Sequence, residues 1–357
     1  MSDKLRFLFD HNVLLNADRV GPYSVEIDPT NHCPIGCSYC IWSEMRQRNQ
    51  ASLREDVFGG LIDNLIELRV AGIVFTGGGE PLGHPFTRKA IARAKAGGIS
   101  VGLFTSGVPL NKRLCAEILP HLSWIRFNLA ASDRGSYKQI QGVDLFDRVV
   151  ENISSCVTVS RDQSLKVRLG IGCVLSRLGS DPRVIDSLTQ LAARLRLDFI
   201  QFKHDLSEIG TAKYEEWWET KALPELRVVT ETCTSGIKID YSRRTYSVTA
   251  KASCFIARKM AAIKADGTVV LCKLHRDTPS MTVGNINDES FCNIWLNARR
   301  HRIVTMLEQE GCGSCCGYKD FNKHVLTTRK ASSGHTDDHV IPYSIGVQQF
   351  GEDINFL

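Results

Sequence analysis

The chain has 357 residues, of which 43% are hydrophobic and 23% are charged. A chain of this length and composition can bury a large core, which excludes a disordered or fibrous protein. The formal net charge is only +5, and no block of lysine and arginine indicates nucleic-acid binding. No apolar run approaches the roughly 20 residues that span a bilayer, and the amino terminus lacks the features of a secretory signal. We therefore expect a cytoplasmic protein that binds neither nucleic acid nor membrane.

Short apolar runs alternate with stretches of helical periodicity from residue 25 to about residue 205. This pattern is typical of parallel strands joined by crossover helices, and we predict six such units. Each predicted strand ends in a polar or glycine-rich segment, and such segments build the active site in parallel α/β folds. The predicted strands are 25–27, 72–75, 100–104, 124–129, 166–174 and 198–202, and the predicted helices include 57–68, 86–96, 146–159 and 181–195.

The regular alternation ends after Asp205, where a helical stretch with tryptophans leads into a cysteine-bearing region. Within that region we predict a β-hairpin over residues 260–272, because Asp266-Gly267 between two apolar runs is a strong signal for a type I′ turn. The predicted division of the chain is an amino-terminal segment 1–24, a barrel domain 25–205, a helical linker 206–235, a cysteine-bearing domain 236–325 and a tail 326–357.

Thirteen cysteines are unusual for a cytosolic protein, because the cytosol keeps thiols reduced. Metal or redox chemistry is therefore the first hypothesis. Seven of the thirteen fall into patterned groups, with Cys316 adjacent to the last: Cys33, Cys37 and Cys40, then Cys254 and Cys272, then Cys312 and Cys315. The isolated cysteines, most of which we expect to be small buried hydrophobes, are Cys115, Cys156, Cys173, Cys233 and Cys292.

Cys33, Cys37 and Cys40 follow the first predicted strand and form a CxxxCxxC motif. A loop can wrap three thiolates around one centre, and an iron–sulfur cluster held by only three cysteines leaves one iron open to a small molecule. A zinc site is the alternative, but His32 is the immediate neighbour of Cys33 and is poorly placed to complete a tetrahedron.

This motif, with the aromatic Tyr39 before its last cysteine, resembles that of the radical S-adenosylmethionine (SAM) superfamily. The resemblance implies a partial (β/α)6 TIM-like barrel and a [4Fe-4S] cluster that binds SAM. It implies the formation of a 5′-deoxyadenosyl radical, which abstracts hydrogen from a substrate. It further implies an electron donor such as flavodoxin or ferredoxin, and it places Tyr39 against the adenine.

A second motif, TGGGEP at the end of the second strand, is similar to the GGEP motif of the same family. Glycine lets the backbone approach a ligand closely, and carbonyl groups there can accept hydrogen bonds from the SAM amino group. Polar residues at later strand ends stand where relatives hold the ribose or the carboxylate. The cofactor-binding residues implied in this way are Tyr39, Gly77, Gly78, Gly79, Glu80, Ser106, Asn128 and Arg168.

The later cysteines form a second predicted site. Cys254 and Cys272 frame the predicted hairpin, and Cys312 and Cys315 supply two further thiols, which completes the donor set of a [4Fe-4S] or zinc site. The pattern resembles the carboxyl-terminal extension of the SPASM/twitch subfamily and implies one auxiliary [4Fe-4S] cluster. Because no cysteine follows Cys316, the twitch-type 2-deoxy-scyllo-inosamine dehydrogenase group is the better match. Either Cys315 or Cys316 could be the fourth ligand.

The resemblance predicts an enzyme of natural-product, including antibiotic, biosynthesis that oxidises or epimerises a small carbohydrate-, cyclitol- or nucleoside-like metabolite. Only 24 residues precede Val25, and we expect no leader-binding module there. The alternative is a maturase that crosslinks or epimerises a ribosomal peptide.

The candidate catalytic residues lie outside the two motifs. Lys203 and His204 stand at the tip that follows the sixth predicted strand and could take up a substrate proton. Cys292 and Cys316 could return a hydrogen atom in an epimerase, although the neighbours of Cys292 also predict a packing role for it.

Overall fold

The structure is a computed structural model, and it describes residues 21–177, 181–241, 253–276 and 278–312, together with Asn322 and Leu326. The strands are β1 (Ser24–Ile27), β2 (Gly72–Phe75), β3 (Ser100–Thr105), β4 (Trp124–Asn128), β5 (Arg168–Leu175), β6 (Phe199–His204), β7 (Lys238–Tyr241), β8 (Met260–Ile263), β9 (Thr268–Val270) and β10 (Thr282–Asn285). They form one sheet in the order β10-β9-β8-β1-β2-β3-β4-β5-β6-β7.

The α-helices of the described ranges connect and cover these strands. They are α1 (Ser43–Arg48), α2 (Glu55–Glu67), α3 (Thr87–Ala96), α4 (Lys112–Ile118), α5 (Arg134–Gln141), α6 (Phe146–Asp162), α7 (Val184–Arg194), α8 (Ala212–Trp217), α9 (Leu223–Thr232), α10 (Phe291–Leu296) and α11 (Ala298–Gln309). A π-helical turn, Trp218–Ala222, joins α8 to α9.

The mixed α/β fold with a parallel sheet is confirmed. Strands β1 to β6 pair in chain order, and every pair is parallel. Their carboxyl ends consequently lie at one edge of the sheet, where the polar segments predicted from the sequence meet. No helix of the described ranges is both long and apolar enough to cross a membrane.

Side chains alternate between two faces of this sheet. Those on the outer face, such as Val25, Ile73 and Phe127, belong to the large apolar core that also contains the buried side chains of the helices. On the inner face a separate apolar cluster, which we call the inner plug, consists of Val74, Trp124, Phe199 and the partly buried Phe104.

Glycines make room for large side chains on the inner face. A Cβ atom at Gly102 would overlap the ring of Trp124, and one at Gly170 would overlap the ring of Phe199. A Cβ atom at Gly172 would lie 2.7 Å from Nε of Arg126. The strands β3 and β5 therefore lack side chains where the inner plug and Arg126 need the space.

The sheet extends beyond the six predicted strands at both of their edges, next to β6 and next to β1. Strand β7 pairs in parallel with β6, and β8 pairs in parallel with β1. The predicted domain boundary at Asp205 stays a prediction, but the sheet does not stop there. Residues 1–20 and all of the predicted tail except Leu326 lie outside the described residues.

The predicted hairpin is formed by β8 and β9, which are antiparallel. The predicted type I′ turn is wrong, because among its central residues only Gly267 has a positive φ, at +85°. The Gly267 N–H donates to the carbonyl of Lys264, and the Lys264 N–H donates to the carbonyl of Thr268. These bonds form a type I turn followed by a left-handed glycine.

The isolated cysteines divide into two groups. Cys115 of α4, Cys156 of α6 and Cys173 of β5 are fully buried, as expected, while Cys233 and Cys292 are partly exposed. The structure also joins Cys115 to Cys156 as a disulfide, which the sequence did not predict.

We predict opposite stability effects for alanine at two glycines. Gly170→Ala should lower the melting temperature, because its methyl group displaces the buried Phe199 ring at a cost of about 1–3 kcal/mol. Gly60→Ala in α2 has no atom within 4 Å of its new Cβ, and it should stabilise by about 0.5–1 kcal/mol as a helix-interior substitution. Thermal unfolding of both variants under one condition provides the comparison. Equal melting temperatures would contradict the steric account.

Candidate active site

The loop that carries Cys33, Cys37 and Cys40 follows β1 and borders a cavity of about 730 Å³. The backbone N–H groups of Gly36 and Ser38 donate to carbonyls at the end of α5, at 3.0 and 2.8 Å. Cys33 and Cys37 line the cavity directly, together with other residues of both motifs and their surroundings, including Asn31, His32, Arg46, Glu80 and Val108.

Burial raises the pKa of Cys33 and raises that of Cys37 to about 12. Cys33 and Cys40 add to the rise at Cys37, so the three thiols interact electrostatically. In the described ranges, no group of three His, Cys, Asp or Glu side chains is arranged to hold a single metal ion, whereas the three cysteines of a [4Fe-4S] cluster bind three different irons. The ionised forms of Cys33 and Cys37 are unfavourable because of this burial until a cationic centre binds them.

Tyr39 links this loop to the sheet. Its ring is buried, and its hydroxyl accepts a hydrogen bond of 3.0 Å from the side-chain amide of Asn128 at the end of β4. The same hydroxyl bonds to the Cys37 sulfur and lowers the pKa of that thiol against the larger effect of burial. Tyr39 and Asn128, which the sequence placed near the cofactor, therefore lie together beside the cysteine loop.

The TGGGEP segment packs directly on the cysteine loop. The Gly79 N–H donates to the carbonyl of Thr30 at 3.0 Å, and the Glu80 N–H donates to the carbonyl of His32 at 2.8 Å. A Cβ atom at Gly79 would overlap the His32 carbonyl, and one at Gly78 would overlap the Asn31 side chain. These glycines therefore allow the segment to pack against the cysteine loop at Asn31 and at His32, the residue before Cys33. This role is additional to the predicted one, in which they let the backbone approach a ligand.

Glu80 joins the ends of β2 and β3. Its buried carboxylate accepts hydrogen bonds from the hydroxyl of Thr105 at 2.7 Å and from the N–H and hydroxyl of Ser106 at 2.7 and 2.6 Å. Burial raises the pKa of Glu80, while these donors oppose that rise. Both residues stand at the predicted edge of the sheet. The Ser106 hydroxyl, however, donates to Glu80 and is therefore directed to that carboxylate.

Tyr137 of α5 is a site residue that the sequence did not indicate. It is fully buried, and its hydroxyl has no hydrogen-bond partner among the described residues. Burial raises its pKa, and the nearby Cys37, Cys33 and Glu80 raise it further. A buried hydroxyl without a partner costs about 1–3 kcal/mol, so this phenol is placed for an acceptor that the described residues do not supply.

Further from the cysteine loop, polar side chains cover the inner face of the sheet. The guanidinium of Arg126 in β4 donates to the Gln201 side-chain carbonyl, and the Gln201 amide donates to Asp240 of β7 at 2.9 Å. Lys203 follows Gln201 on the same face of β6, and its Nζ lies 5.5 Å from the Phe104 ring centre. Sequence reasoning missed Arg126 and Asp240, which lie within strands and outside any motif.

A buried ion-pair network connects β1 with the segment after Cys272. Glu26 of β1 pairs with Lys273 at 3.2 Å and with Arg276 at 3.8 Å. Arg276 also pairs with Asp28, which precedes the cysteine loop. Its guanidinium lies 4.8 Å from the ring centre of Trp42, two residues after Cys40.

Three predicted site residues do not reach this region. Arg168 is the first residue of β5 and pairs in register with Trp124, the first residue of β4, so it lies at the amino-terminal edge of the sheet. His204 lies on the outer face, where its ring centre is 3.6 Å from that of Trp218. Cys292 packs against α2, with its sulfur 3.8 Å from the Glu67 carboxylate.

The second cysteine group is described only in part. The N–H groups of Cys254 and Gly311 both donate to the carbonyl of Leu307, at 2.9 and 3.1 Å, which brings Cys254 and Cys312 to the same end of α11. Cys272 follows β9 at the open end of the hairpin, as predicted. The predicted ligand Cys315 and its neighbour Cys316 lie outside the described residues.

Comparison with known proteins identifies both regions. Residues 27–169 match the Radical SAM superfamily. Residues 254–316 match SPASM, an iron–sulfur cluster-binding domain. The chain therefore belongs to the radical SAM superfamily and is a radical SAM enzyme with a carboxyl-terminal SPASM domain.

Relatives of different activity resemble the chain. The dTDP-4-amino-4,6-dideoxy-D-glucose ammonia-lyase of Streptomyces venezuelae is 27% identical over 62% of this chain, which spans about half (48%) of that protein. A PqqA peptide cyclase of Rhodopseudomonas palustris is 22% identical over 82% of this chain and 79% of the cyclase.

Among solved structures, Streptococcus suis SuiB bound to its precursor peptide SuiA has a TM-score of 0.62 at 13% identity, covering 87% of this chain and 73% of SuiB. AdoMet-bound anSMEcpe has a TM-score of 0.61 at 15% identity, covering 87% and 98%. These two structural likenesses show the fold.

The residues present fit the [4Fe-4S] clusters and SAM that this class of enzyme uses. Cys33, Cys37 and Cys40 would hold the first cluster, since thiolates are its usual ligands, and burial disfavours the charged forms of Cys33 and Cys37 in its absence. The unpartnered hydroxyl of Tyr137 beside them is a further donor for a group bound there. Cys254, Cys272 and Cys312 would contribute to the auxiliary site.

We predict that Gly79→Ala lowers the iron content of the reconstituted protein. The seven predicted ligands correspond to about eight irons per chain, because each four-iron cluster contains four. The added methyl group would displace the His32 carbonyl and with it Cys33, so iron bound by the first site should fall.

The matched control is Gly83→Ala in the same segment, whose new Cβ would meet its nearest neighbour only at 4.0 Å. Iron and sulfide assays after anaerobic reconstitution compare the variants. Full iron content in Gly79→Ala, with SAM binding lost, would instead favour the approach to a ligand as the main role of this glycine.

Proposed function

We propose that the protein oxidises a hydroxylated carbon of a small carbohydrate-, cyclitol- or nucleoside-like metabolite bound on the inner face of the sheet. The observation that carries this proposal is the set of polar side chains there, centred on Lys203, Arg126 and Gln201. Such groups suit a small molecule with hydroxyl and charged substituents. The resemblance to a sugar-nucleotide ammonia-lyase supports the same substrate class.

Oxidation of a secondary alcohol to a ketone removes one hydrogen atom, one proton and one electron. When bound and reduced, the first cluster with SAM supplies the 5′-deoxyadenosyl radical that takes the hydrogen atom. Lys203 takes the hydroxyl proton at Nζ. The cysteines at the end of α11 and after β9 would hold the auxiliary cluster as the electron acceptor.

Lys203 is suited to be this base. Burial lowers its pKa well below the ordinary lysine value, and the cations of Arg126 and Lys273 lower it further. The carboxylates of Glu26 and Asp240 act in the opposite direction, with smaller effect. Lowering the pKa of a lysine enlarges the fraction of neutral amine at a given pH, and only the neutral amine can accept a proton. The second predicted base, His204, is excluded from this role because it lies among Tyr214 and Trp218 on the outer face.

A radical peptide modifier is the second candidate. It is favoured by the PqqA peptide cyclase, which the chain matches over 79% of that protein's length. For this candidate the inner face would receive one polar side chain of a peptide. Epimerisation is a variant of the first proposal, but Cys292 of α10 packs against α2 and is unsuited to return a hydrogen atom to a substrate on the inner face.

Turnover in deuterium oxide distinguishes oxidation from epimerisation. The substrate is first identified by screening sugars, cyclitols and nucleosides for one that raises the rate of 5′-deoxyadenosine formation above the rate measured without it. We expect a product two mass units lighter than the substrate, because an alcohol becomes a ketone. A product one unit heavier, with deuterium on carbon, would show that hydrogen return is the chemistry.

Lys203→Gln should lower turnover by about 10²–10⁴-fold, the usual contribution of a positioned base. In the wild type the rate should rise with pH through a limb below the ordinary lysine pKa, because only the neutral amine accepts a proton. Asp240→Asn removes a nearby negative charge, which lowers the pKa of Lys203 further and moves the limb to lower pH.

Lys89→Gln, on the exposed surface of α3, is the control for these pH–rate profiles. An unchanged limb in Lys203→Gln would assign the proton transfer to another group.

A further inference from the structure

We propose that Arg126 binds an anionic group of the substrate, a phosphate or a carboxylate, on the inner face of the sheet. This inference rests on the proposed function in placing the substrate there, and it adds a charge class to that substrate. It is carried by the contacts of the guanidinium, by the space kept for it, and by the absence of a carboxylate partner among the described residues.

The guanidinium is held in one orientation by neutral contacts. Its central carbon lies 3.5 Å from the ring centre of Phe104, which fixes the plane. Gln201 accepts one of its N–H groups, and Gln201 is itself oriented by the bond to Asp240. Gly172 on the neighbouring strand leaves the volume that the side chain occupies. One hydrogen bond, to an amide that is itself oriented, and a stacked ring thus orient a cation that has five N–H donors.

Arg126 forms no ion pair with any described residue. The carboxylates that interact with it electrostatically are Glu26 and Asp240. Glu26 is engaged by Lys273 and Arg276, while Asp240 accepts from Gln201. By contrast, Arg276 on the same side of the sheet pairs with two carboxylates. A partly buried cation without a counterion is unfavourable, and an anionic ligand would remove this cost.

A second basic side chain lies beside Arg126. Lys203 lies over the same Phe104 ring, and no described carboxylate pairs with it, so the protonated form that it reaches after taking a proton would add to the attraction for an anion. The charge of Arg126 disfavours that protonated form, which lowers the pKa of Lys203. Burial lowers the pKa of Arg126 to about 9, so the guanidinium remains charged at neutral pH. Both side chains stay partly exposed, so a ligand can reach them. The planar guanidinium suits the paired oxygens of a phosphate or carboxylate.

The test is calorimetric titration of the reconstituted holoenzyme with inorganic phosphate and, separately, with succinate. We expect saturable binding of at least one anion, and a Kd raised roughly 10- to 100-fold in Arg126→Gln, as expected for one charge-assisted contact. Binding of phosphate alone would indicate a phosphorylated substrate, and binding of succinate alone a carboxylated one. Binding of both would support the anion site without separating the two.

Gly172→Ala is a second variant, which displaces the guanidinium and keeps its charge, and it should also weaken binding. Arg168→Gln is the matched control, because that cation lies at the opposite edge of the sheet and should leave the Kd unchanged. Failure of the wild type to bind either anion, or equal affinity in Arg126→Gln, would overturn the inference. The mass measurement on the product tests the proposed function separately, so ketone formation without anion binding refutes only the anion site.

Discussion

Alternation of side chains along each strand decides which residues of this protein can reach a substrate. On β6, Gln201 and Lys203 face the inner side, while His204 packs among aromatic rings on the outer side. A shift of one residue would exchange these roles, so the register of the parallel sheet determines the chemistry of the inner face. The register in turn depends on the outer core, which the helices bury.

The site at the carboxyl-terminal edge is assembled mainly by backbone contacts between loops. The carbonyls of Thr30 and His32 accept hydrogen bonds from the TGGGEP segment. Glu80 of that segment in turn accepts hydrogen bonds from Ser106, which follows β3. Tyr39 extends the connection to β4 through Asn128. The three cysteines therefore stand on a loop whose position is fixed by its neighbours on three successive strands, which is the rigidity that cluster ligands require.

The motifs of the site could be predicted from sequence because their spacing is local. The CxxxCxxC loop, the TGGGEP segment and the hairpin before Cys272 all stand where the pattern indicated. Arg126 and Asp240 could not be found in this way, because a charged residue within a strand becomes informative only when its face and its neighbours are known. Tyr137 likewise lies in a helix without a motif, and only the three-dimensional structure shows that its buried hydroxyl has no hydrogen-bond partner in the part of the chain that is described.

The errors have the same origin. Arg168 was assigned to the end of a strand that it in fact begins, and His204 was grouped with Lys203 because the two are adjacent in sequence. Adjacent strand residues face opposite sides, so sequence proximity is a poor guide to proximity in a site.

The pairing of β8 with β1 has a consequence for how the chain can be divided. Strand β1 lies inside the sheet because residues far along the chain, Met260–Ile263, cover its second edge. A fragment that stopped at the end of β6 would leave the main-chain amide and carbonyl groups of Ser24–Ile27 open along that edge, and an uncovered strand edge is a template for intermolecular association. The amino-terminal region and the region after the linker are thus joined by main-chain hydrogen bonds, and efforts to produce the barrel alone would favour aggregates over a smaller working enzyme.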